Sequence, residues 1–281
     1  MRIALATEPG DPQRPNEDYA SVALPASGEG GALVLLDGVT PPEGDDGCVH
    51  SVPWFTARLG GAMLELSVSR RDMTLTEVLA AALAETAATH RGTCDLSHPR
   101  TPQATVVAAR WSADTVEHLV LSDSVLLVAK ADGSVQPVRD TRLDTLPPAV
   151  RAQRAAVRAL PRDSAERAAA AREYVRAVEA LRNAEDGFFT AAADPSVATR
   201  ALTGTAPRAE IRSLTALTDG ATRWVDVFHA GTWAECAALV ATAGPQALID
   251  RVRALENADP HSTTHPRGKP HDDAAVIHAT T

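Results

Sequence analysis

An α+β fold is what this sequence predicts, with hairpin-connected strands forming the sheets and helices packed on their outer faces. Three observations predict it. Apolar, strand-like runs and stretches of helical spacing come in blocks: strands, helices, strands, helices, strand, helix, strand. A tight-turn pair, Asp132-Gly133, joins two neighbouring strand runs, as antiparallel pairing requires. And 281 residues, 44% of them hydrophobic, are enough for one substantial core, so the chain is read as one domain over 1–281.

The elements follow in order. "RIALAT", "DYASVAL" and the near-continuous apolar "GALVLLD" are strands within residues 1–40. A Pro- and Gly-punctuated loop, "GVTPPEGDDGCVHSVPW", leads to helices expected over Val52–Leu66 and Thr76–His90, with Thr74 or Thr76 as the second cap. "ATVVAARW", "VEHLVLSDSVLLVAKAD" and "SVQPVRD" supply three or four further strands. Residues 147–186, rich in Ala, Arg and Glu, predict two helices broken at Pro161-Arg162-Asp163, the second opened by Asp163 or Ser164. "TGTAP" is expected as a loop, "EIRSLTALTD" as a strand and Trp233–Glu256 as one helix. A His-bearing loop and a last strand, "AAVIHAT", close the chain.

Charge and cysteine usage limit the function classes. A formal net charge of −9 argues against nucleic acid or an anionic membrane as a partner and is compatible with binding cations. Three dispersed cysteines without a CxxC pair fit a reducing compartment. The first residues do not read as a signal peptide, no apolar run reaches membrane-spanning length, and a cytoplasmic protein, monomeric by size, is expected. There is no Walker loop, dinucleotide fingerprint or HExxH.

The chemistry is in the carboxylates. Glu17-Asp18, Asp37, Asp123, Asp219 and Asp272-Asp273 each stand at the end or beginning of an apolar strand run, and two of these ends are Asp-Gly. Carboxylates brought together without basic partners repel one another, and a divalent cation removes the conflict. An all-oxygen set suits Mg²⁺ or Mn²⁺ better than Zn²⁺.

In order, the motifs are "NED" (16–18), "LLDG" (35–38), "QATVVAA" (103–109), "LSDSVLLV" (121–128), "LTDG" (217–220) and "DDAAVI" (272–277). Together they resemble the metal-dependent protein phosphatase 2C family in its bacterial form. The resemblance implies two antiparallel β-sheets packed as a sandwich flanked by α-helices, with a two-metal centre at one end. It implies Asp37 bridging two ions, the Gly38 carbonyl on the second, Asp219 and Asp272 completing the first, and Glu17 with Asp18 serving the second through water. Asp123 matches the position of a third, looser ion. It implies hydrolysis of a phosphomonoester, on phosphoserine or phosphothreonine of a protein or on a small phosphorylated metabolite, by a water activated between two cations. Relatives without activity make a silent binding module the contrasting expectation. The helical stretch 147–186 falls where the family carries its variable flap.

This chain departs from the family pattern in places. The arginine expected to bind phosphate is Gln13, with Arg14 next to it as the candidate substitute; the Asp-Gly at 37–38 continues as "VTP"; "DSV" replaces D-S-R; and Ala275 stands where Thr is common. Cys48 and His50, two residues apart in the loop after Asp37, offer a nucleophile pair or, through His50, a general acid or phosphate contact. His261, His265 and His271 match no zinc spacing.

Overall fold

The computed structural model describes residues 2–26, 30–42, 44–161 and 164–280. Ten strands are assigned there: β1 (Arg2–Glu8), β2 (Tyr19–Ala23), β3 (Gly31–Gly38), β4 (Ala104–Trp111), β5 (Thr115–Leu121), β6 (Val125–Lys130), β7 (Val135–Arg139), β8 (Leu202–Pro207), β9 (Ile211–Leu217) and β10 (Ala274–Thr280). The helices are α1 (Val52–Ser69), α2 (Leu75–His90), α3 (Pro148–Ala159), α4 (Ala165–Glu179), α5 (Asp219–Asp226), α6 (Trp233–Ala243) and α7 (Pro245–Ala258). Two five-stranded antiparallel sheets result, ordered β1-β10-β9-β6-β7 and β2-β3-β4-β5-β8.

Strand β3 shows why its sequence is apolar without interruption. Leu33 and Leu35 point between the sheets, against Val107, Leu126, Ala216 and Ile277. Val34 and Leu36, on the opposite face, pack under α1 and α2 with Phe55, Leu59, Met63, Val78 and Leu79. A third cluster joins β6, β9 and β10 to α5, α6 and α7 through Leu127, Leu217, Val276, Trp224, Val240 and Ile249. The layers are therefore helix, sheet, sheet, helix. Each fully buried leucine contributes about 1.5–3 kcal/mol. The residues of α1 that reach the core are spaced one turn apart (Phe55, Leu59, Met63), and α2 is closed at its start by a Thr74–Glu77 capping box.

Local expectations needed correction in three places. "TGTAP" is not a loop but strand β8, pairing with β5; an edge strand of small residues shows no apolar alternation to mark it. The helix expected over Trp233–Glu256 divides at Gly244 (φ 90°) and Pro245, which together end α6 and open α7. The second Asp-Gly pair, Asp219-Gly220, does not end a strand: β9 stops at Leu217, and the pair opens a short helix, α5, that the sequence pattern did not announce. At the start of α4, Asp163 lies outside the described residues, and Ser164 caps the helix by accepting the Arg167 N–H at 3.1 Å. Helices α3 and α4 pack on each other and bury no residue fully.

Candidate metal centre

The ends of β3 and β9 and the starts of β2 and β10 meet at one end of the sandwich, and each brings a carboxylate there. Asp37 is the penultimate residue of β3; its Oδ2 accepts the backbone N–H of Asp219, the first residue of α5, at 3.1 Å. Thr218, between β9 and α5, donates its hydroxyl to Asp18 Oδ2 at 2.9 Å and accepts the Ala275 N–H at 2.8 Å, which ties β2, β9 and β10 at one point. Asp18 Oδ1 is buried and has no partner. Asp123 sits in the turn between β5 and β6, behind Ser122 (φ 70°), whose hydroxyl it accepts at 3.0 Å.

Glycine is required where the chain crosses this end. A Cβ on Gly38 would stand 2.6 Å from the Glu17 carbonyl oxygen and collide with the Val52 side chain. One on Gly220 would collide with the Asp273 carbonyl. The two Asp-Gly pairs thus answer to close backbone packing around the carboxylates, not to hairpin turns.

Electrostatics show how tightly these groups are gathered. Burial, reinforced by the Asp219, Asp18 and Asp123 carboxylates, lifts Asp37 well above the ordinary carboxylate value. Burial lifts Asp18 likewise, against the relief from the Thr218 hydroxyl, and the Asp219 and Asp273 charges add to the rise. Asp219 is pushed up to about 7, by burial first and then by Asp272 and Asp123. Asp123 and Glu17 are also raised, mainly by burial. A set of buried carboxylates that raise one another in this way, one with an orphaned oxygen, fits an oxygen-seeking dication.

Cations are present too, against the expectation of a set without basic partners. Asp272 pairs with Arg223 of α5 at 2.6 Å and with Lys269 at 2.8 Å. Lys269 also donates to Thr40 at 3.0 Å, and Thr40 in turn donates to Glu17. Burial opposes the lysine charge, but Asp272, Asp219 and Glu17 prevail and hold its pKa above the usual value. Arg223 is anchored from behind by Glu256 at 2.6 Å, a carboxylate with no exposed surface. Asp273 serves the backbone instead. Its two oxygens accept the Gly10 and Glu17 N–H groups, each at 2.7 Å, and fix the entry to β2.

Two adjoining cavities open over this end. One, of about 510 Å³, is lined by Asp37, Gly38, Asp123 and Asp219 and also by Arg154, Tyr174 and Arg182 from the α3–α4 region. Arg182 is half-buried, its Nε has no partner, and burial pulls its pKa below the usual value despite Glu179 and Asp123. Sequence pattern alone did not single it out, because it is one of many arginines in the stretch 147–186. The other cavity, about 870 Å³, shares Thr40, Lys269 and Asp272 with the first and is bordered by Glu17 and Arg14. Arg14 itself is exposed and lies 3.8 Å from Asp11.

His50 lines neither cavity. Its ring stacks on Trp54 with centroids 4.0 Å apart, and its Nδ1 lies 3.3 Å from Cys94 Sγ. His265 Nδ1 meets the Val227 carbonyl and His271 Nε2 meets Asn257 Oδ1, so these two loop histidines are used locally. No helix among the described residues is long and apolar enough to cross a membrane.

No family model matches the chain, and no curated protein matches its sequence. Solved structures do match its shape. The serine/threonine phosphatase Stp1 from Staphylococcus aureus aligns with a TM-score of 0.54 at 13% identity, over 99% of this chain and 94% of that one. The catalytic domain of the serine threonine protein phosphatase PstP, in complex with two manganese ions, aligns at 0.52 and 14% identity, over 99% and 97%. A C. elegans sex determining protein aligns at 0.57 and 12% identity, over 99% of this chain and 64% of that one. The fold is thus the one the resemblance to type 2C phosphatases implies, and at these identities what happens at the site must be argued from its own residues.

Proposed function

We propose that this protein is a metal-dependent phosphomonoester hydrolase whose substrates are phosphoserine and phosphothreonine in proteins. The observation that carries the reading is the convergence of Asp18, Asp37, Asp123 and Asp219 from four separate chain segments, each raised by burial and by its neighbours. Such an arrangement is unfavourable on its own and suits a pair of hard cations. Asp37, Asp219 and Asp272 would hold one ion; Asp37, the Gly38 carbonyl, Glu17 and Asp18 would hold the second; Asp123 would serve a third. Mg²⁺ or Mn²⁺, when bound, supplies an acidified water and neutralises the phosphoryl oxygens. The manganese in the PstP structure supports that choice of ion by likeness.

The chain's own residues do the rest. Arg223 and Lys269 fix Asp272 from opposite sides, so that its carboxylate has little freedom to swing away. Arg182, whose Nε has no partner, would donate to phosphate oxygens, as would Arg154, which lines the same cavity as Asp37. Helices α3 and α4 act as a flap whose cationic inner side meets the phosphate while the rest of their surface stays in solvent. Arg14, which lines the second cavity, would meet the part of a substrate that extends beyond the phosphate. That second cavity, which shares Thr40, Lys269 and Asp272 with the first, favours a peptide over a small metabolite.

Turnover of p-nitrophenyl phosphate with Mn²⁺, abolished by chelator and restored by added metal, is the expected result. Phosphoserine and phosphothreonine peptides should then be preferred over phosphorylated metabolites. Bound metal with no turnover of any phosphomonoester would instead establish a silent binding module.

A further inference from the structure

A second cluster lies outside the carboxylate centre, and its atoms are soft donors. Cys48 and His50 belong to the segment between β3 and α1, His90 is the last residue of α2, and Cys94 follows four residues later. One donor atom from each of the four lies within 4.8 Å of the others. Cys48 Sγ is 3.7 Å from His50 Nδ1 and 3.6 Å from His90 Nδ1, and His50 Nδ1 is 3.3 Å from Cys94 Sγ. A tetrahedral ion with metal–sulfur bonds of about 2.3 Å and metal–nitrogen bonds of about 2.0–2.1 Å places sulfur and nitrogen about 3.5 Å apart. These three sulfur–nitrogen edges lie close to that figure. The two sulfurs, 3.0 Å apart, are closer than the tetrahedral edge of about 3.8 Å. Both cysteines are free rather than bridged.

We propose that Cys48, His50, His90 and Cys94 form a Cys₂His₂ site for Zn²⁺, separate from the carboxylate centre.

The surroundings have the form of a ligand sphere. His90 is 1% exposed and aims Nδ1 into the cluster. The His50 backbone N–H donates to Cys48 Sγ at 3.4 Å, and the Thr93 hydroxyl lies 3.5 Å from Cys94 Sγ, so each sulfur has a polar neighbour. Trp54 holds the His50 ring by stacking. Beside the cluster the Asp95 N–H donates to the Gly47 carbonyl at 2.8 Å, and Gly47 (φ 72°) makes the turn that brings Cys48 inward. Two thiolates and two imidazoles select zinc over the hard ions expected at the aspartates. With four protein ligands the site is closed, hence structural.

Its location gives it a purpose. The segment it fastens begins directly after Asp37-Gly38 and includes Asp46 and Ser51, which border the larger cavity. Zinc would clamp that wall to the end of α2, so the substrate groove keeps its shape without using a catalytic group.

The direct test is X-ray absorption at the zinc edge on the full-length wild-type protein, purified from zinc-supplemented medium, with metal content measured in parallel. The expected result is about one zinc per chain in a shell of two sulfurs and two nitrogens. Replacing zinc with Co²⁺ should give intense thiolate charge-transfer absorption, lost in Cys94→Ser and kept in Asp219→Asn. Because Cys94→Ser could fail to fold, the wild-type absorption spectrum decides on its own. A zinc-free protein, a shell of oxygen and nitrogen only, or an intact mass short of two hydrogens because Cys48 and Cys94 are bridged would each overturn the proposal. None of these readouts depends on phosphatase activity.

Discussion

Replacing Asp219 by Asn separates what the carboxylate cluster costs from what it does. In the metal-free folded chain Asp219 is pushed up to about 7, against an ordinary value of 3.8. Since the folded value is the higher one, the folded chain holds the extra proton between them. The associated stability is complete below about pH 4 and lost as pH rises through about 7. At about 1.4 kcal/mol per pH unit, the gap corresponds to about 4 kcal/mol. Asn has nearly the same shape and no charge to bury, although it forgoes the attraction of a carboxylate to the first turn of α5, worth about 0.3–1 kcal/mol. In chelator at pH 8, therefore, Asp219→Asn should be more stable than the wild type by about 3–4 kcal/mol. At roughly 2 °C per kcal/mol that is a Tm higher by about 6–8 °C. The advantage should vanish near pH 4. With Mn²⁺ added the order should reverse, because the wild type gains binding energy that the variant lacks. Differential scanning fluorimetry across pH, with and without metal, measures all of this. A variant less stable than the wild type in chelator at pH 8, or a difference that ignores pH, would refute the reasoning.

Three further outcomes follow from the geometry. Gly38→Ala drives a Cβ toward the Glu17 carbonyl and Val52 and should cost about 1–3 kcal/mol in urea unfolding while lowering metal-dependent turnover. Glu256→Gln removes the buried partner of both Arg223 and Arg253 and should destabilise by about 3 kcal/mol; no change in the unfolding midpoint would show the network to be dispensable. Arg182→Gln should raise KM for a phosphopeptide about tenfold or more with a smaller effect on kcat, as loss of a charged hydrogen bond of about 1.5–3 kcal/mol requires; unchanged steady-state parameters would remove it from substrate binding.

Legibility in the sequence followed physical distinctiveness. Asp37 and Asp219 could be found because a carboxylate directly after a buried strand, followed by glycine, is an uncommon combination. The sandwich core was visible for the same reason: strands covered on both faces, such as β3 and β4, carry unbroken apolar runs, Ala32–Leu36 and Val106–Ala109. Edge strand β8 is covered on neither face to that degree and left no pattern. Within Asp272-Asp273 the division of labour was hidden, because it depends on whether the side chain meets Arg223 and Lys269 or two backbone N–H groups. Arg223 lies within α5 and Lys269 in a loop, so neither shows by spacing that it will neutralise Asp272. Cys48-His50 drew attention as a catalytic pair because His90 and Cys94, more than 40 residues away from Cys48, carried no matching signal. Their meeting is a product of how α2 packs beside the segment leaving β3.

The most direct test of the carboxylate centre is a crystal structure of the protein soaked in Mn²⁺, with anomalous difference maps collected at the manganese edge. Two strong peaks are expected, both against Asp37, one also touching Asp219 and Asp272 and the other the Gly38 carbonyl. Maps without a peak at Asp37 in crystals soaked at saturating Mn²⁺ would contradict the account.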